Sequence, residues 1–169
     1  MKGEVSPLPR GRCMEKRMLP GSLTIRKMDP QDLEEVVSLS ATSPSNPWSK
    51  QMFIEEMQHP NASCYVMTSG EPSTASPLGF LCFRNVGDES DLLNIGVHPE
   101  SRGCGIGKKL MTFYVEECQQ RGAKTLYLEV DPRNQPAVRL YLSQAYRKNG
   151  VRKNFYQGKF DALLMMRTI

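Results

Sequence analysis

The chain has 169 residues, 39% of them apolar and 24% charged, enough for one domain that buries its own core without metal or disulfide staples. Its five cysteines are odd in number and scattered, with no C-x-x-C pair and only two histidines beside them, which excludes a disulfide framework or structural zinc site and points to a reducing, cytoplasmic setting. Three of the four net positive charges fall within residues 1–21, which carry five Lys/Arg against two Glu, so the nearly neutral remainder argues against nucleic acid as the main ligand.

No uninterrupted apolar run approaches the roughly 20 residues that span a bilayer, and no hydrophobic signal-peptide core follows the basic N-terminus. Membrane association is not expected. The first segment, "MKGEVSPLPRGRCMEKRMLPG", has no sustained period and is bracketed by Pro and Gly. It reads as a disordered leader or an overcalled start, with Met14 and Met18 as alternative starts; residues 22–169 then form a single domain.

"LTIRKM" alternates as a strand, and "DPQDLEEVVSLSA" follows as a helix with Asp29 as cap and Pro30 in the first turn. "SPSNPWSKQMFIEEMQ" breaks at Pro44 and Pro47 and restarts as a short helix capped by Ser49. "SCYVMTS", "PLGFLCFRNV" and "DLLNIGVH" read as three strands of an antiparallel meander. From Gly107 to Arg121 the period becomes helical, with Leu110, Met111, Phe113, Tyr114, Val115 and Cys118 inward and Gly122 as C-cap. "TLYLEV" is a strand. "NQPAVRLYLSQAY" is a helix with Ala137, Val138, Tyr141 and Leu142 on its apolar side, and "VRKNFYQGKFDALLMMRTI" supplies a closing hairpin. The order β-α-α-β-β-β-α-β-α-β-β predicts a mixed α/β sheet flanked by helices.

The segment "NIGVHPESRGCGIGKKL" concentrates bare backbone where a helix begins. It lacks the spacing of a Walker A loop and of the dinucleotide G-x-G-x-x-G. The physics of a helix N-terminus remains: unpaired N–H groups and the positive end of the macrodipole face outward, and Gly103, Gly105 and Gly107 let that backbone close around a diphosphate. Arg102 and Lys108 can add charge. Glycines serving only turn geometry and capping are the alternative.

Here the chain resembles the GNAT superfamily of N-acetyltransferases, whose signature matches Arg102-Gly103-Cys104-Gly105-Ile106-Gly107. "NPWSKQMF", "DLLNIGVHPESRGCGIGKKL", "LYLEVDPRNQPAVRLY" and "RKNFY" followed by "DALLMM" resemble, in order and spacing, the RimI-type ribosomal-protein-alanine N-acetyltransferases over about residues 22–167. The resemblance implies a GNAT-type acyl-CoA N-acyltransferase fold and acetyl-CoA as cosubstrate, with no metal. The implied acceptor is a protein N-terminus, that of a small-subunit ribosomal protein beginning with alanine. Another N-terminus, a lysine or a small amine is the alternative acceptor, and a non-catalytic acyl-CoA sensor or RNA-associated protein is the alternative class.

Transfer to an amine needs the amine neutral, and an α-amine with a pKa near 8 is mostly protonated at neutral pH, so a base is useful. Glu129 shares one face of "TLYLEV" with Thr125 and Tyr127; it is an outward charge near a strand end or, as the resemblance implies, the general base. Tyr141 is a core aromatic or, by family position, the proton donor to the leaving thiolate. Ile95, Gly96 and Val97 match the family's bulged strand, whose free backbone groups hold the pantetheine arm and acetyl carbonyl. Gly96 replaces the more usual Ala. Asn134 matches a residue that bonds the cofactor arm and also suits a helix N-cap. Asp131 and Pro132 replace the more usual Arg-Ala pair and change the charge at the acceptor end. Trp48 and Phe53 on one side, with Asn154, Phe155 and Tyr156 on the other, are candidates for an acceptor groove, packing being their other fate. Cys104 falls inside the cradle without a required chemical role, an acetyl-cysteine mechanism being the weaker alternative. Arg147, Lys148, Arg152 and Lys153 read as a solvated face.

Overall fold

The computed structural model describes residues 22–43, 45–70 and 75–169; residues 1–21, expected to be a disordered leader or an overcalled start, lie outside them. The elements are β1 (Leu23–Lys27), α1 (Leu33–Ala41), α2 (Lys50–Gln58), β2 (Ala62–Ser69), β3 (Gly79–Val86), β4 (Glu89–Val97), α3 (Ile106–Gln120), β5 (Thr125–Val130), α4 (Gln135–Ser143), β6 (Arg147–Tyr156) and β7 (Phe160–Thr168). This is the order expected from the hydrophobic periods, with two short 3-10 turns added before α1 and α3.

Local chemistry sets the boundaries. Asp29 accepts from the Gln31 N–H at 3.1 Å while Asp32 accepts from the Asp29 N–H at 2.8 Å, a reciprocal box around Pro30 that satisfies donors otherwise orphaned at a helix start. Ser49 caps α2 through the Met52 N–H at 3.3 Å. Gly122, at φ +82°, ends α3, with the Ala123 N–H returning to the Cys118 carbonyl at 3.0 Å, as a left-handed C-terminal residue allows.

Among the described residues the strands form one sheet in the order β1-β2-β3-β4-β5-β7-β6. Neighbours run antiparallel except β4 and β5, which are parallel. The period-2 pleat sorts side chains into two cores. Tyr65, Met67, Leu81, Phe83, Leu126 and Leu128 face α3 and α4, whereas Cys64, Val66, Phe80 and Cys82 face α1 and α2. Of the apolar side expected for α4, Val138 and Tyr141 are buried and Ala137 half-buried, but Leu142 lies 48% exposed. One position beyond Tyr141, it has turned past the edge of the stripe that a helix this short can bury.

The site is prepared by a failure of pairing. β4 and β5 pair from Glu89↔Thr125 only as far as Leu92↔Leu128. Immediately afterwards the β3–β4 register skips Leu93, passing from Phe83↔Leu92 to Cys82↔Asn94. A bulge inserts a residue, bends the strand and increases its twist. Beyond it the ends of β4 and β5 form opposite walls of a cavity rather than a ladder.

Candidate active site

The cavity between the parted strands has a volume of about 1000 Å³. Its walls come from β4 (Ile95, Gly96, Val97), the glycine turn and first turn of α3, the end of β5 with the loop after it, α4, the α1–α2 loop and the β6–β7 turn. Of the residues anticipated for the cofactor, Ile95, Gly96, Val97, Arg102, Gly103, Gly105, Ile106, Gly107, Lys108 and Asn134 all line it, and both proposed proton-transfer residues, Glu129 and Tyr141, do too. Cys104 is not part of the wall.

Gly103 and Gly105 adopt φ of +79° and +82°, a left-handed conformation that costs other residues roughly 1–2 kcal/mol. Among the described residues, no backbone carbonyl accepts from the N–H groups of Gly103, Gly105, Ile106 or Gly107. These donors lead into the 15-residue helix α3, whose dipole adds positive potential at that end. A Cβ added at Gly103 or Gly105 would meet no protein atom within 4 Å, so the bareness there serves backbone conformation and access rather than internal packing. Gly107 is different: its Cβ would lie 3.2 Å from Leu140 Cδ2 on α4, so its smallness lets α4 approach. The cradle fits a diphosphate held by backbone donors.

The bulge stands at Leu93, whose carbonyl accepts from Asn46 Nδ2 at 3.4 Å, and not at Ile95–Val97 as expected. Ile95, Gly96 and Val97 instead continue the ladder with β3 and lack a β5 partner on the other side. Gly96 sits opposite Phe80 in register, and a Cβ there would overlap the Phe80 ring. It therefore answers a packing demand that the sequence alone could not reveal. Arg102 turns away from a purely anion-binding role: Nη2 donates to Thr42 Oγ1 at 2.7 Å and Nε to the Val97 carbonyl at 3.2 Å, tying the end of α1 to β4.

On the facing wall, Asn134 caps α4 by accepting from the Ala137 N–H at 3.3 Å through its side-chain oxygen; the amide nitrogen is left as a donor. Tyr141 is 5% exposed. Burial first, and then Tyr156, pushes its phenol well above the ordinary value, so it remains protonated over the whole neutral range. Tyr156 is pushed up to about 12 by burial, then by Glu129 and Asp131. Glu129 accepts from Arg152 Nη1 at 3.0 Å.

Of the residues anticipated for the acceptor, only Tyr156 lines the cavity. Trp48 and Phe53 are buried with ring centroids 5.1 Å apart, and Phe53 meets Phe80 edge-on at 5.4 Å; they shape the α1/α2 core and do not line the cavity. Asn154 and Phe155 lie outside the wall, with Phe155 exposed beside Arg152, whereas Tyr156 does line it. Asp131 is the largest omission. Only 3% exposed, it accepts from Ser45 Oγ at 2.6 Å and from the Arg133 N–H, Nε and Nη2 at 2.9, 2.9 and 2.6 Å. The Arg133 hydrogen bond, opposed by burial and reinforced by Ser45, holds its carboxyl far below the usual range. Arg133 also lies 3.5 Å from the Phe160 ring centroid. The carboxylate thus joins the α1–α2 loop to the β5–α4 loop, and through Arg133 the start of β7. The exchange of Arg-Ala for Asp-Pro was the available signal, but its partners are 86 and two residues away and only folding brings all three together. Asn94 was likewise legible as a polar residue at an inward position of β4, and it too lines the cavity.

A mixed sheet split between parallel strands four and five, with a glycine turn opening a long helix beside the split, defines an acyl-CoA-dependent N-acyltransferase architecture. The sequence pattern of the Acetyltransferase (GNAT) family matches residues 33–146, and the chain belongs to that family, whose acetyl donor is acetyl-CoA. A Bacillus subtilis protein provisionally named a [ribosomal protein bS18]-alanine N-acetyltransferase is 33% identical over 146 residues, covering 86% of this chain and 95% of its own. The solved ribosomal-protein-S18-alanine N-acetyltransferase from Escherichia coli superposes with a TM-score of 0.75 at 28% identity, over 88% of this chain and 94% of that one. Arabidopsis thaliana NAA60, solved with acetyl-CoA, shares the fold with a TM-score of 0.76 at 20% identity over 88% and 99% of the two chains. No group of three or more His, Cys, Asp or Glu suited to a metal ion occurs among the described residues.

Proposed function

We propose that the protein transfers the acetyl group of acetyl-CoA to the N-terminal α-amine of a protein, and that its acceptor is the N-terminal alanine of the small-subunit ribosomal protein bS18. The observation that carries the chemistry is that the glycine turn, Glu129 and Tyr141 line a single cavity at the β4/β5 split. The acceptor assignment draws on the names of the relatives, which cover 86% and 84% of this chain. A ribosomal acceptor places the enzyme in the cytoplasm; among the described residues no helix is long and apolar enough to cross a membrane.

Acetyl-CoA supplies an activated thioester; the chain supplies position and proton handling. The N–H groups of Gly103, Gly105, Ile106 and Gly107 would take the diphosphate, with Lys108 adding charge. The exposed edge of β4 at Ile95–Val97 and the Asn134 amide would hold the pantetheine arm. Glu129 would take one proton from the acceptor ammonium, so that the neutral amine can form the new C–N bond as the C–S bond breaks, the second proton lost by the nitrogen passing to the departing thiolate. Tyr141 serves the departing sulfur. A phenol whose pKa lies well above that of a thiol gives up its proton reluctantly, and Tyr141 accordingly acts as a strong hydrogen-bond donor that stabilises developing thiolate charge.

The test is a panel of acceptors assayed by mass spectrometry: a peptide with the bS18 N-terminus, the same peptide beginning with another residue, and an N-terminally blocked peptide carrying lysine. Acetylation confined to the free α-amine and fastest on the alanine peptide supports the assignment. Preferred transfer to the lysine of the blocked peptide would overturn it.

A further inference from the structure

Arg152 stands on the edge strand β6 and Glu129 on β5, with β7 between them. Their β7 partners are Ala162 and Leu164 respectively, so the arginine side chain crosses β7 to reach the carboxylate. Nη1 donates to Glu129 Oε1 at 3.0 Å, and the guanidinium carbon lies 4.4 Å from the Phe155 ring centroid. An ion pair whose arginine is 58% exposed contributes little to stability. What it does is orient. Glu129 Oε2 has no hydrogen-bond partner among the described residues, and Glu129 lines the cavity while Arg152 does not. The carboxylate is gripped from the rim by one oxygen, leaving the other to meet an acceptor.

We propose that Arg152 is the positioning residue of the acceptor step: it anchors Glu129 Oε1 so that Oε2 is presented to the ammonium of the incoming amine. This rests on the reading of Glu129 as the base. In the step, one proton passes from the ammonium to Oε2 and later leaves to water, while the guanidinium keeps its own protons throughout. The other charged and titratable groups of this wall are Glu89 and Asp91 on β4, Arg84 opposite Asp91 on β3 and already bonded to Glu56, Tyr127 on β5, Asp131 just beyond it, already taken by Arg133, and Tyr156 on β6. Asp91 is raised by burial and then by Glu89 and Glu129, against the opposing pull of Arg84, the response expected of carboxylates sharing a site. Arg152 is the cation that balances this wall at Glu129. Its loss leaves the carboxylate unanchored and without its paired cation.

The test is steady-state turnover on an alanine-initiated peptide, across pH, for the wild type, R152A, R152K, E129Q and the R152A/E129Q pair, with acetyl-CoA affinity measured on each. Expected for R152A are unchanged acetyl-CoA affinity and a kcat lower by about tenfold or more, since small misplacements of a reacting group can cost up to about 10². The deficit should shrink as pH rises past about 8, where the acceptor amine loses its proton unaided. R152K, which restores the charge, should recover part of kcat, and R152A should add nothing further in the E129Q background. Wild-type kcat at every pH in R152A, beside a strongly impaired E129Q, would overturn the role of Arg152 and leave the base in place. Wild-type turnover in E129Q would instead remove the reading on which the inference stands. Equal losses from R152A with and without Glu129 would assign Arg152 to the general integrity of the hairpin and overturn the proposal.

Discussion

Gly96→Ala adds one methyl group at the point where β4 passes Phe80, and the structure says what that methyl meets. Its Cβ would overlap the Phe80 ring, lying 3.0 Å from Cζ and 3.1 Å from Cδ1 even at the farther contacts. Phe80 cannot easily retreat, being fully buried with Phe53 edge-on at 5.4 Å. Overpacking of this kind costs about 1–3 kcal/mol, and a domain of this size loses roughly 2–4 °C of melting temperature per kcal/mol. Gly96→Ala should therefore melt about 2–12 °C lower and, because the strand it displaces carries the edge offered to the pantetheine arm, bind acetyl-CoA more weakly. Phe80→Leu in the same chain should recover much of both losses by making room. Calorimetric melting and titration on the single and double variants decide the matter. A Gly96→Ala protein that melts within a degree of the wild type would refute the packing argument.

Gly105→Val forces a β-branched residue to φ +82° and distorts the cradle; losing one charge-assisted hydrogen bond, about 1.5–3 kcal/mol, means roughly 10–100-fold weaker acetyl-CoA binding by titration calorimetry, and unchanged affinity in a folded variant would count against the diphosphate assignment. Asp131→Asn should cost about 1–3 kcal/mol at neutral pH by weakening the bonds to Arg133 and Ser45. Because the folded-state pKa of Asp131 is depressed, its stabilising contribution is fully present above the unfolded value of about 3.9 and is lost as pH falls through the folded value. The difference in melting temperature should accordingly narrow below about pH 4, and a gap of constant size from pH 7 to pH 3 would contradict the electrostatic origin.

Much of the architecture was legible because it is written in short-range patterns. The 3.6-residue stripe of α3, the strict alternation of "TLYLEV" and the caps Asp29, Ser49, Asn134 and Gly122 depend on neighbours within one or two turns, and each element lies where those patterns put it. The glycine turn was legible for the same reason, since left-handed backbone at a helix start has few sequence solutions. What escaped were relations between distant segments. Trp48 and Phe53 have the composition of a binding groove but sit where α2 packs on the sheet. Asp131 meets Ser45 across 86 residues of chain, and Arg152 meets Glu129 only after the sheet has closed in the order β5-β7-β6. Periodicity specifies which face a side chain takes, not which distant charge it will find there.

The role of Glu129 as the base that delivers a neutral amine is tested most directly by the pH dependence of Glu129→Gln. The variant keeps the size and most of the hydrogen bonding while removing the base, and general-base contributions are typically about 10²–10⁴-fold. With saturating acetyl-CoA and an alanine-initiated peptide, turnover near neutral pH should fall by that order with acetyl-CoA affinity unchanged. The deficit should shrink as pH rises past about 8, where the α-amine loses its proton unaided. A Glu129→Gln enzyme with wild-type turnover at neutral pH, or one whose deficit is the same at every pH, would contradict the account.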